Sequence, residues 1–394
     1  MASVLRSKKM IIPAAVLAAG AGAGLGAFAL GEEPVAEASV LDCGTFTFPR
    51  CDSPDRQFDP SFAETVPEVT ERVVGGFGGQ ADCTPQRTPV VFVHGNADRA
   101  TNWDSDVTGA VGDHPVAPHS VYDEFRAAGY SGCELFGLTY LTEAQQRSPQ
   151  DNYHEPGGYQ VILDFVDAVR DYTGADQVNI VSHSFGVSLS MAALTWDTET
   201  RGGEGWDRVD RFVNIAGGIR GLGSCRTVGF ANPMARTCGS QNVFDPYIFG
   251  FYPDGAGYGN NDWTAADGRR SLRSMPGEHP EVSFYTISAG AYDQVHCGAL
   301  DAYAECAQGA LFTPGDNVQA QLDVGTGTPA AAVDNDLTDG AVFNMSAGDL
   351  DGIGHFKAKN NTGRILVQML DTECRQAECA ATYEAGPAVA VAPL

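Results

Sequence analysis

The chain has 394 residues, of which 43% are hydrophobic, so it can bury a large core, and neither intrinsic disorder nor a fibrous repeat fits this composition. Asp and Glu number 50 against 24 Lys and Arg, which leaves a net charge of −26. A surface of that sign repels phosphate backbones and anionic headgroups, so we expect no nucleic-acid partner.

The N-terminus has the pattern of an export leader. Arg6, Lys8 and Lys9 precede an apolar, Ala- and Gly-rich run, and small-x-small sites follow at residues 27–29 and 36–38. This pattern predicts a signal peptide over residues 1–38, and hence a secreted, extracellular protein. An uncleaved membrane anchor is the alternative, because the run is nearly long enough to span a bilayer. No later stretch approaches that length, so we expect no stable membrane insertion of the mature protein, which we interpret as a monomer with one domain over residues 39–394.

The ten cysteines all follow the leader, and an even number in an exported chain predicts disulfides. Four pairs are close in sequence, and the remaining two cysteines would pair by elimination, although spacing alone does not prove the connectivity. The chain has no C-x2-C pair and no histidine at ligand spacing from one, so we expect neither a zinc site nor a cofactor. The expected pairs are Cys43 with Cys51, Cys225 with Cys238, Cys297 with Cys306, Cys374 with Cys379, and Cys83 with Cys133.

From Pro89 onward, apolar β-rich runs alternate with segments of helical periodicity. This alternation predicts an α/β fold: a mostly parallel sheet with helices on both faces. In chain order we expect strand 90–93, a helix capped by Ser120 and Asp123, strand 135–138, a helix with apolar residues at 162, 165, 166 and 169 that stops at Thr173-Gly174, strands 178–181, 212–215 and 282–287, and a helix over 365–369.

Two stretches do not fit simple βα units. Residues 39–88 are rich in Pro and Gly, and we interpret them as an extended N-terminal wrap. Residues 221–275 are rich in Gly, Asn and aromatic side chains, and we interpret them as a long surface insertion. Loops of that length in a compact domain are usually functional.

The segment from Ser182 to Gly186 reads Ser-His-Ser-Phe-Gly, and it joins a predicted strand to a predicted helix. A strand, a tight turn with small residues around a serine, and a helix form the nucleophile elbow of α/β-hydrolases. Ser184 is therefore the predicted nucleophile. Ser182 replaces the first glycine of the usual G-x-S-x-G pattern, which is tolerable if that position does not require glycine.

A serine nucleophile needs a histidine base and a carboxylate that orients it, in the chain order Ser, acid, His. Three histidines follow Ser184, and His355 lies in a glycine loop just before a predicted helix, where this fold carries its base. For His279 and His296 we expect solvated or packing roles. The acid should follow the strand after the insertion, which favours Asp293 over its competitors, namely Asp301, Asp349 and Asp351.

Acyl transfer also needs donors aimed at the developing oxyanion. The backbone N–H of Phe185, directly after the nucleophile, is one prediction. The second is the backbone N–H of Asn96 in the His94-Gly95-Asn96 loop that follows the first strong strand. We expect His94 itself to pack and hydrogen-bond beneath that loop.

Several longer sequence segments resemble those of a known family. From about Cys43 to the C-terminus, the chain resembles the lipase-like extracellular polyhydroxyalkanoate depolymerases that attack amorphous poly(3-hydroxybutyrate). The matching phrases are Val93-His94-Gly95-Asn96, Phe136-Gly137-Leu138-Thr139-Tyr140-Leu141, Asn152-Tyr153-His154, Ala216-Gly217-Gly218-Ile219-Arg220-Gly221, Cys238-Gly239-Ser240-Gln241-Asn242, Gly354-His355-Phe356 and Asn361-Thr362-Gly363.

The resemblance implies an α/β-hydrolase fold and the same triad, Ser184, Asp293 and His355, with Asn96 and Phe185 at the oxyanion. It also places Tyr153 near the mouth of the site, and we add Tyr252 and Trp263 of the aromatic insertion as substrate-binding residues. The family elbow reads Ala-His-Ser-Met-Gly, so Phe185 puts a stiffer aromatic beside the nucleophile here, and the insertion is only loosely alike.

The expected function is thus a secreted serine hydrolase of the carboxylic-ester class that cleaves an insoluble polyester through an acyl-enzyme. A lipase or carboxylesterase on acylglycerols or other esters would use the same triad, although the insertion is too rich in Gly and Asn for an apolar lid helix. A non-catalytic polymer-binding protein is the third hypothesis, but it would have no need for Ser, Asp and His in that order.

Overall fold

The computed structural model describes residues 57–104, 110–111, 114–115, 119–152, 154–222, 237, 272–297, 306–330, 348–349, 351–380 and 390–391. Its main sheet has eight strands in the order β1-β5-β2-β6-β7-β8-β9-β10, and a separate small sheet pairs β3 with β4. The strands are β1 (Gly75–Phe77), β2 (Val90–Val93), β3 (Ala110–Val111), β4 (His114–Pro115), β5 (Leu135–Thr139), β6 (Val178–His183), β7 (Val209–Ile215), β8 (Ser283–Ser288), β9 (Val318–Asp323) and β10 (Ala390–Val391).

The six central strands of the sheet run parallel, and the two edge strands, β1 and β10, run antiparallel to their neighbours. Parallel strands need crossover connections, and helices supply them. The helices are α1 (Pro60–Thr65), α2 (Pro67–Thr70), α3 (Val121–Ala127), α4 (Glu143–Arg147), α5 (Pro156–Thr173), α6 (Phe185–Trp196), α7 (Lys357–Asn360) and α8 (Gly363–Asp371).

The sheet is buried on both faces. Apolar side chains of α5 and α6 form one core with the sheet, and those of α3 and α8 form a second core on the other face. All four residues of β2 are buried, as expected for a central strand covered by helices on both sides. This arrangement is the α/β-hydrolase fold, as predicted.

Local signals produced the helices they predicted. Ser120 and Asp123 form a complete capping box at the start of α3. In α5, the residues predicted for the apolar stripe are all buried, and the helix ends at Gly174, whose φ of 69° lies in the left-handed region. These two helices therefore follow directly from short-range sequence patterns.

The interpretation of residues 39–88 as an extended wrap is wrong for the described part. Residues 57–88 contain α1, α2 and the edge strand β1, because Asp59 caps α1 by accepting the backbone N–H of Ser61, and each helix begins at a proline. Of the predicted insertion, only residues 221–222, 237 and 272–275 are described.

The three predicted disulfides whose cysteines are all described are present: Cys83–Cys133, Cys297–Cys306 and Cys374–Cys379. The other predicted pairs, Cys43 with Cys51 and Cys225 with Cys238, lie outside the described residues. Over the described ranges, no helix combines the length and apolar character that crossing a bilayer requires.

Candidate active site

Ser184 sits at the turn between β6 and α6. Its φ of 54° and ψ of −123° form a backbone conformation that L-residues rarely adopt, as the strained elbow of a nucleophile requires. Ser182, by contrast, is part of the extended strand β6, and its hydroxyl lies 3.3 Å from that of Ser190. The first glycine of the usual motif is therefore not needed here.

The structure brings Ser184, His355 and Asp293 together. Nε2 of His355 lies 2.9 Å from Oγ of Ser184, and Nδ1 of His355 lies 2.9 and 3.1 Å from the two carboxylate oxygens of Asp293. Because a carboxylate can only accept, Nδ1 carries the proton and Nε2 accepts from the serine hydroxyl. This is the tautomer that a general base needs.

Asp293 follows β8, at the carboxyl edge of the sheet, and is fully buried. Its Oδ1 also accepts the backbone N–H groups of Val295 and His296, each at 2.9 Å. Burial alone would disfavour the charge, but the facing histidines His296 and His355 and these hydrogen bonds outweigh it and hold the pKa of Asp293 below its usual range. The carboxylate therefore stays ionised beside His355.

His296 packs against this acid. It is 2% exposed, and its Nδ1 lies 3.5 Å from Oδ2 of Asp293. Burial is the main cause of its lowered pKa. Of the two expected roles, solvated or packing, His296 has the packing role, but it packs beside Asp293 within the site. His279 is half-buried and stacks on Trp206, with ring centroids 4.9 Å apart.

Asn96 and Phe185 flank the serine. Phe185 opens α6, whose N-terminal dipole favours negative charge. Asn96 follows β2, and both polar atoms of its side chain are engaged: Nδ2 donates to the carbonyl of Pro149 at 2.8 Å, and Oδ1 accepts from Asn152 at 2.6 Å. The side chain thus anchors the loop, which leaves the backbone N–H as the group that could serve an oxyanion.

His94 lies beneath this loop, as expected. Its Nε2 accepts the backbone N–H of Tyr140 at 3.3 Å, and its Nδ1 therefore donates to the carbonyl of Gly95 at 2.7 Å. The ring stacks on that of Tyr140, with centroids 4.2 Å apart. Burial lowers the pKa of His94 to about 4, so the ring is a neutral structural group at physiological pH.

The sequence reasoning missed several residues that hold the site in place. His183, inside the elbow, donates from Nε2 to the carbonyl of His355 at 3.0 Å. Gln294 and Asp349 contact the loop that carries His355, and Lys359 forms a buried ion pair with Asp98. Only His183 lay within a recognised motif, so only its role had a local signal.

The predicted substrate-binding residues Tyr153, Tyr252 and Trp263 lie outside the described residues. Among the described residues, Asp293, His296 and His355 form a cluster whose ligand atoms lie within 4.8 Å of one another, so they could in principle hold a metal ion. Hydrogen bonds between His355 and Asp293 already engage two of these three groups, so a cation would compete with the contacts that connect His355 to Ser184 and Asp293.

Comparison with known proteins agrees with this geometry. The sequence model of the lipase (class 2) family matches residues 87–247, a range that includes Asn96, Ser184 and Phe185. No curated protein matches the sequence.

Solved structures of lipases superpose weakly on the chain. Lipase B of Aspergillus fumigatus is 15% identical, with a TM-score of 0.43, and the match covers 76% of this chain and 57% of that one. The propeptide form of the Bacillus licheniformis lipase BlEst2 is also 15% identical, with a TM-score of 0.41, over 78% of this chain and 55% of that one. The matched region thus spans just over half the length of these lipases. The lipase (class 2) match thus covers the elbow and the Asn96 loop, the segments that surround Ser184 in the fold described above.

Proposed function

We propose that this protein is a secreted serine hydrolase that cleaves the ester bonds of a short-chain polyester, with amorphous poly(3-hydroxybutyrate) as the first candidate. The observation that carries the hydrolase part is the continuous hydrogen-bond chain from Ser184 through His355 to Asp293. The polyester part is supported by the family resemblance of the sequence phrases quoted above. Secretion is supported by the leader and by the disulfides, which are typical of oxidising compartments.

The geometry supports acyl transfer in two steps. Oγ of Ser184 attacks the ester carbonyl while Nε2 of His355 takes its proton, and Asp293 stabilises the imidazolium that forms. The negative charge on the former carbonyl oxygen faces the backbone N–H groups of Phe185 and Asn96. His355 then gives its proton to the leaving alcohol, and a water molecule, activated by the same histidine, releases the acid from the acyl-enzyme.

The nucleophile is tested with Ser184→Ala and a soluble ester such as p-nitrophenyl butyrate. We expect turnover to fall by a factor on the order of 10⁶, as for the loss of other triad serines. Ser131→Ala is the matched control, because Ser131 precedes β5 and lies at the opposite edge of the sheet. A folded Ser184→Ala protein that keeps more than a few per cent of wild-type turnover would show that another group is the nucleophile.

A lipase acting on acylglycerols is the second candidate, and the class 2 lipase match favours it. Clearing of amorphous poly(3-hydroxybutyrate) is compared with release of acid from tributyrin and triolein at equal active-site concentration. Faster polymer clearing supports the polyester, whereas triolein hydrolysis at a higher kcat/KM supports a lipase. No turnover of any ester, including p-nitrophenyl butyrate, would leave the non-catalytic binding protein.

Docking to an insoluble chain is part of the same proposal. We propose that Tyr153, Tyr252 and Trp263 contact the polymer, because aromatic side chains bury large apolar areas at a small cost in conformational entropy. Combined replacement of Tyr252 and Trp263 by Ala should slow attack on polymer particles several-fold and leave p-nitrophenyl butyrate turnover nearly unchanged. Equal losses on both substrates would assign these two aromatic residues to folding instead.

A further inference from the structure

We propose that Asp349, together with Gln294, is a positioning pair that sets the backbone of the loop carrying His355 and so places its imidazole between Ser184 and Asp293. This inference rests on the proposed function, since it concerns the base of the same reaction. Asp349 is one of the three carboxylates that compete with Asp293 for the role of triad acid in the sequence. The structure gives it a different task.

Four consecutive backbone N–H groups, those of residues 354–357, point at these two side chains. Asp349 accepts three of them and Gln294 accepts the fourth, so no amide of this short segment is left to water. The bonds are Gly354 N to Asp349 Oδ1 at 3.3 Å, His355 N to Gln294 Oε1 at 3.1 Å, Phe356 N to Asp349 Oδ2 at 3.3 Å, and Lys357 N to Asp349 Oδ1 at 2.9 Å.

The pair is itself joined, because Nε2 of Gln294 donates to Oδ2 of Asp349. Gln294 directly follows the triad acid Asp293 in sequence. One turn after β8 therefore supplies both the carboxylate that orients the imidazole and the amide that holds its backbone. The acid and the base are thus fixed to each other through two independent connections, one through the side chain of His355 and one through its main chain.

Asp349 is suited to this task only as a carboxylate. Its four hydrogen-bond partners all donate, and each of its oxygens accepts two bonds. An asparagine in its place would turn one acceptor into a donor that faces other donors. The side chain is fully buried, and burial raises its pKa. Burying a charge costs free energy unless donors surround it, so the four donors offset the desolvation penalty of the Asp349 carboxylate.

The loop has other anchors that a purely structural role would use. Thr326 and Ile353 exchange backbone hydrogen bonds, and Asp351 accepts from the hydroxyl and the backbone N–H of Thr328. These contacts fix the loop before it reaches His355. Asp351 is therefore a matched control: it is a nearby carboxylate of the same loop that binds polar partners away from the histidine backbone.

The negative charge of Asp349 also acts on the imidazole. Two acids face His355, namely Asp293 through the triad bond and Asp349 through its charge. Two histidines face it as well: His183 and His296, with ring centroids 4.9 and 5.8 Å from that of His355. A negative charge stabilises imidazolium, so the Asp349 charge favours the protonated His355 that forms when the proton of Ser184 is transferred.

The test uses the full mature protein and p-nitrophenyl butyrate. For Asp349→Asn we expect kcat to fall 10- to 100-fold with KM changed less than twofold, because the ester still binds but the base is misplaced. We also expect the acidic limb of the pH profile of kcat/KM to move to lower pH. Asp351→Asn should keep kcat within twofold of wild type and leave the limb in place.

Gln294→Leu separates position from charge and covers the case in which Asp349→Asn does not fold. This variant removes the bond to His355 N but leaves the Asp349 charge, so kcat should fall several-fold while the acidic limb stays in place. A wild-type kcat in Gln294→Leu would overturn the proposal, and so would a folded Asp349→Asn protein with an unchanged kcat and an unmoved limb.

One readout does not depend on catalysis, so it separates this proposal from the proposed function. The backbone N–H groups of Gly354, Phe356 and Lys357 are followed by NMR hydrogen exchange in wild type and in Asp349→Asn. Faster exchange of these amides in the variant supports the contact even if the protein turns over no ester. Identical exchange in both proteins contradicts it even if the enzyme is active.

Discussion

Two glycines allow two segments, the elbow and the loop after β2, to meet around Ser184. A Cβ atom on Gly186 would lie 2.3 Å from the carbonyl oxygen of His94, and one on Gly95 would lie 3.0 Å from Cβ of Ser184 and 2.9 Å from Nδ1 of His183. Backbone atoms of the elbow and of the loop after β2 thus touch without intervening side chains. The small residues of the motif serve this close approach between the nucleophile and the loop that carries Asn96.

Replacing Gly186 by Ala should therefore push the Asn96 loop away from the nucleophile. We expect kcat for p-nitrophenyl butyrate to fall by about 100-fold, since a displacement of about 1 Å can cost that much. The overpacked site should also lose about 1–3 kcal/mol of unfolding free energy, measured with urea. Gly157→Ala, in α5, is the matched control, because a Cβ atom on Gly157 would meet no other atom within 4 Å. Wild-type kcat in Gly186→Ala would show that this contact does not set the geometry.

Three buried histidines around the site are held neutral. Burial is the largest cause of the lowered pKa of His94, His183 and His296, and the charges of His355 and Lys359 add to the effect at His183. In the unfolded chain each would titrate near 6.5. The folded state therefore binds fewer protons than the unfolded state between pH 6.5 and the folded pKa, and stability is lost as the pH falls through that window.

For His94, whose folded pKa is about 4, the loss can be estimated. Lowering the pH from 7 to 5 should remove about 2 kcal/mol of unfolding free energy through this residue alone, and His183 and His296 should add to that loss. Urea unfolding at pH 7 and 5 measures the difference. In His94→Gln the difference between the two pH values should shrink by a similar amount, whereas an unchanged difference would mean that His94 is not the titrating group.

At the scale of elements, the sequence predicted those with strong local patterns. Helix α5 and the β6–α6 elbow were identified because periodic apolar residues, a glycine stop and a compact motif lie within a few residues of one another. Strand β9 was missed because its sequence, Val-Gln-Ala-Gln-Leu-Asp, alternates polar residues that look solvated. One of those polar residues, Gln321, is in fact buried and bonds both backbone groups of Phe312.

The residues of the active site were also predicted only in part. Ser184, Asp293 and His355 could be placed from chain order and strand ends, and the structure brings them together. The contacts that hold them could not, because they join distant segments: Gln294 and Asp349 are 55 residues apart, and Asp98 and Lys359 are 261 apart. No local sequence pattern identifies such a residue, because its partner is distant in the chain and comes close only once the whole sheet has formed.

A buried ion pair links the two sides of the active site. Lys359, in α7 just after His355, lies 2.8 Å from Oδ2 of Asp98, which follows the Asn96 loop. Lys359 is 1% exposed, and its ammonium group lies 5.2 Å from the ring centroid of Trp103. Oδ1 of Asp98 accepts from Asn102 at 2.5 Å. The pair thus connects α7, which follows His355, with the segment after the loop that carries Asn96.

Breaking this pair on one side should be costly, because the remaining charge stays buried without a partner. We expect Lys359→Met and Asp98→Asn each to lose about 3–5 kcal/mol of unfolding free energy. The double variant should lose clearly less than the sum of the two. Urea unfolding of all four proteins gives this double-mutant cycle, with the exposed pair Glu143 and Arg147, 3.0 Å apart, as the control, for which we expect about 0.3–0.5 kcal/mol. Additive losses at Asp98 and Lys359 would contradict the coupling.

At the scale of the whole molecule, the net charge is −26, and only five acidic side chains of the described residues are buried. Four of these buried carboxylates have compensating donors: Asp293 has His355, Asp98 has Lys359, Asp197 has Arg208 at 2.7 Å, and Asp349 has the donors described above. Residues 1–38 contain three basic and three acidic residues, so removing them leaves the net charge at −26. Most acidic side chains of the described residues are at least partly exposed, and repulsion between like charges opposes the compact state.

Salt should relieve this repulsion. Raising NaCl from 0.02 to 0.5 M shortens the Debye length from about 20 Å to about 4 Å, so we expect the Tm at pH 7.5 to rise by several degrees. The same series at pH 4.4, the isoelectric point, is the control, because the net charge is close to zero there and the dependence on salt should largely vanish. Differential scanning calorimetry measures both series. Equal slopes at the two pH values would instead indicate a general effect of salt on apolar burial, since that effect does not depend on the charge of the protein.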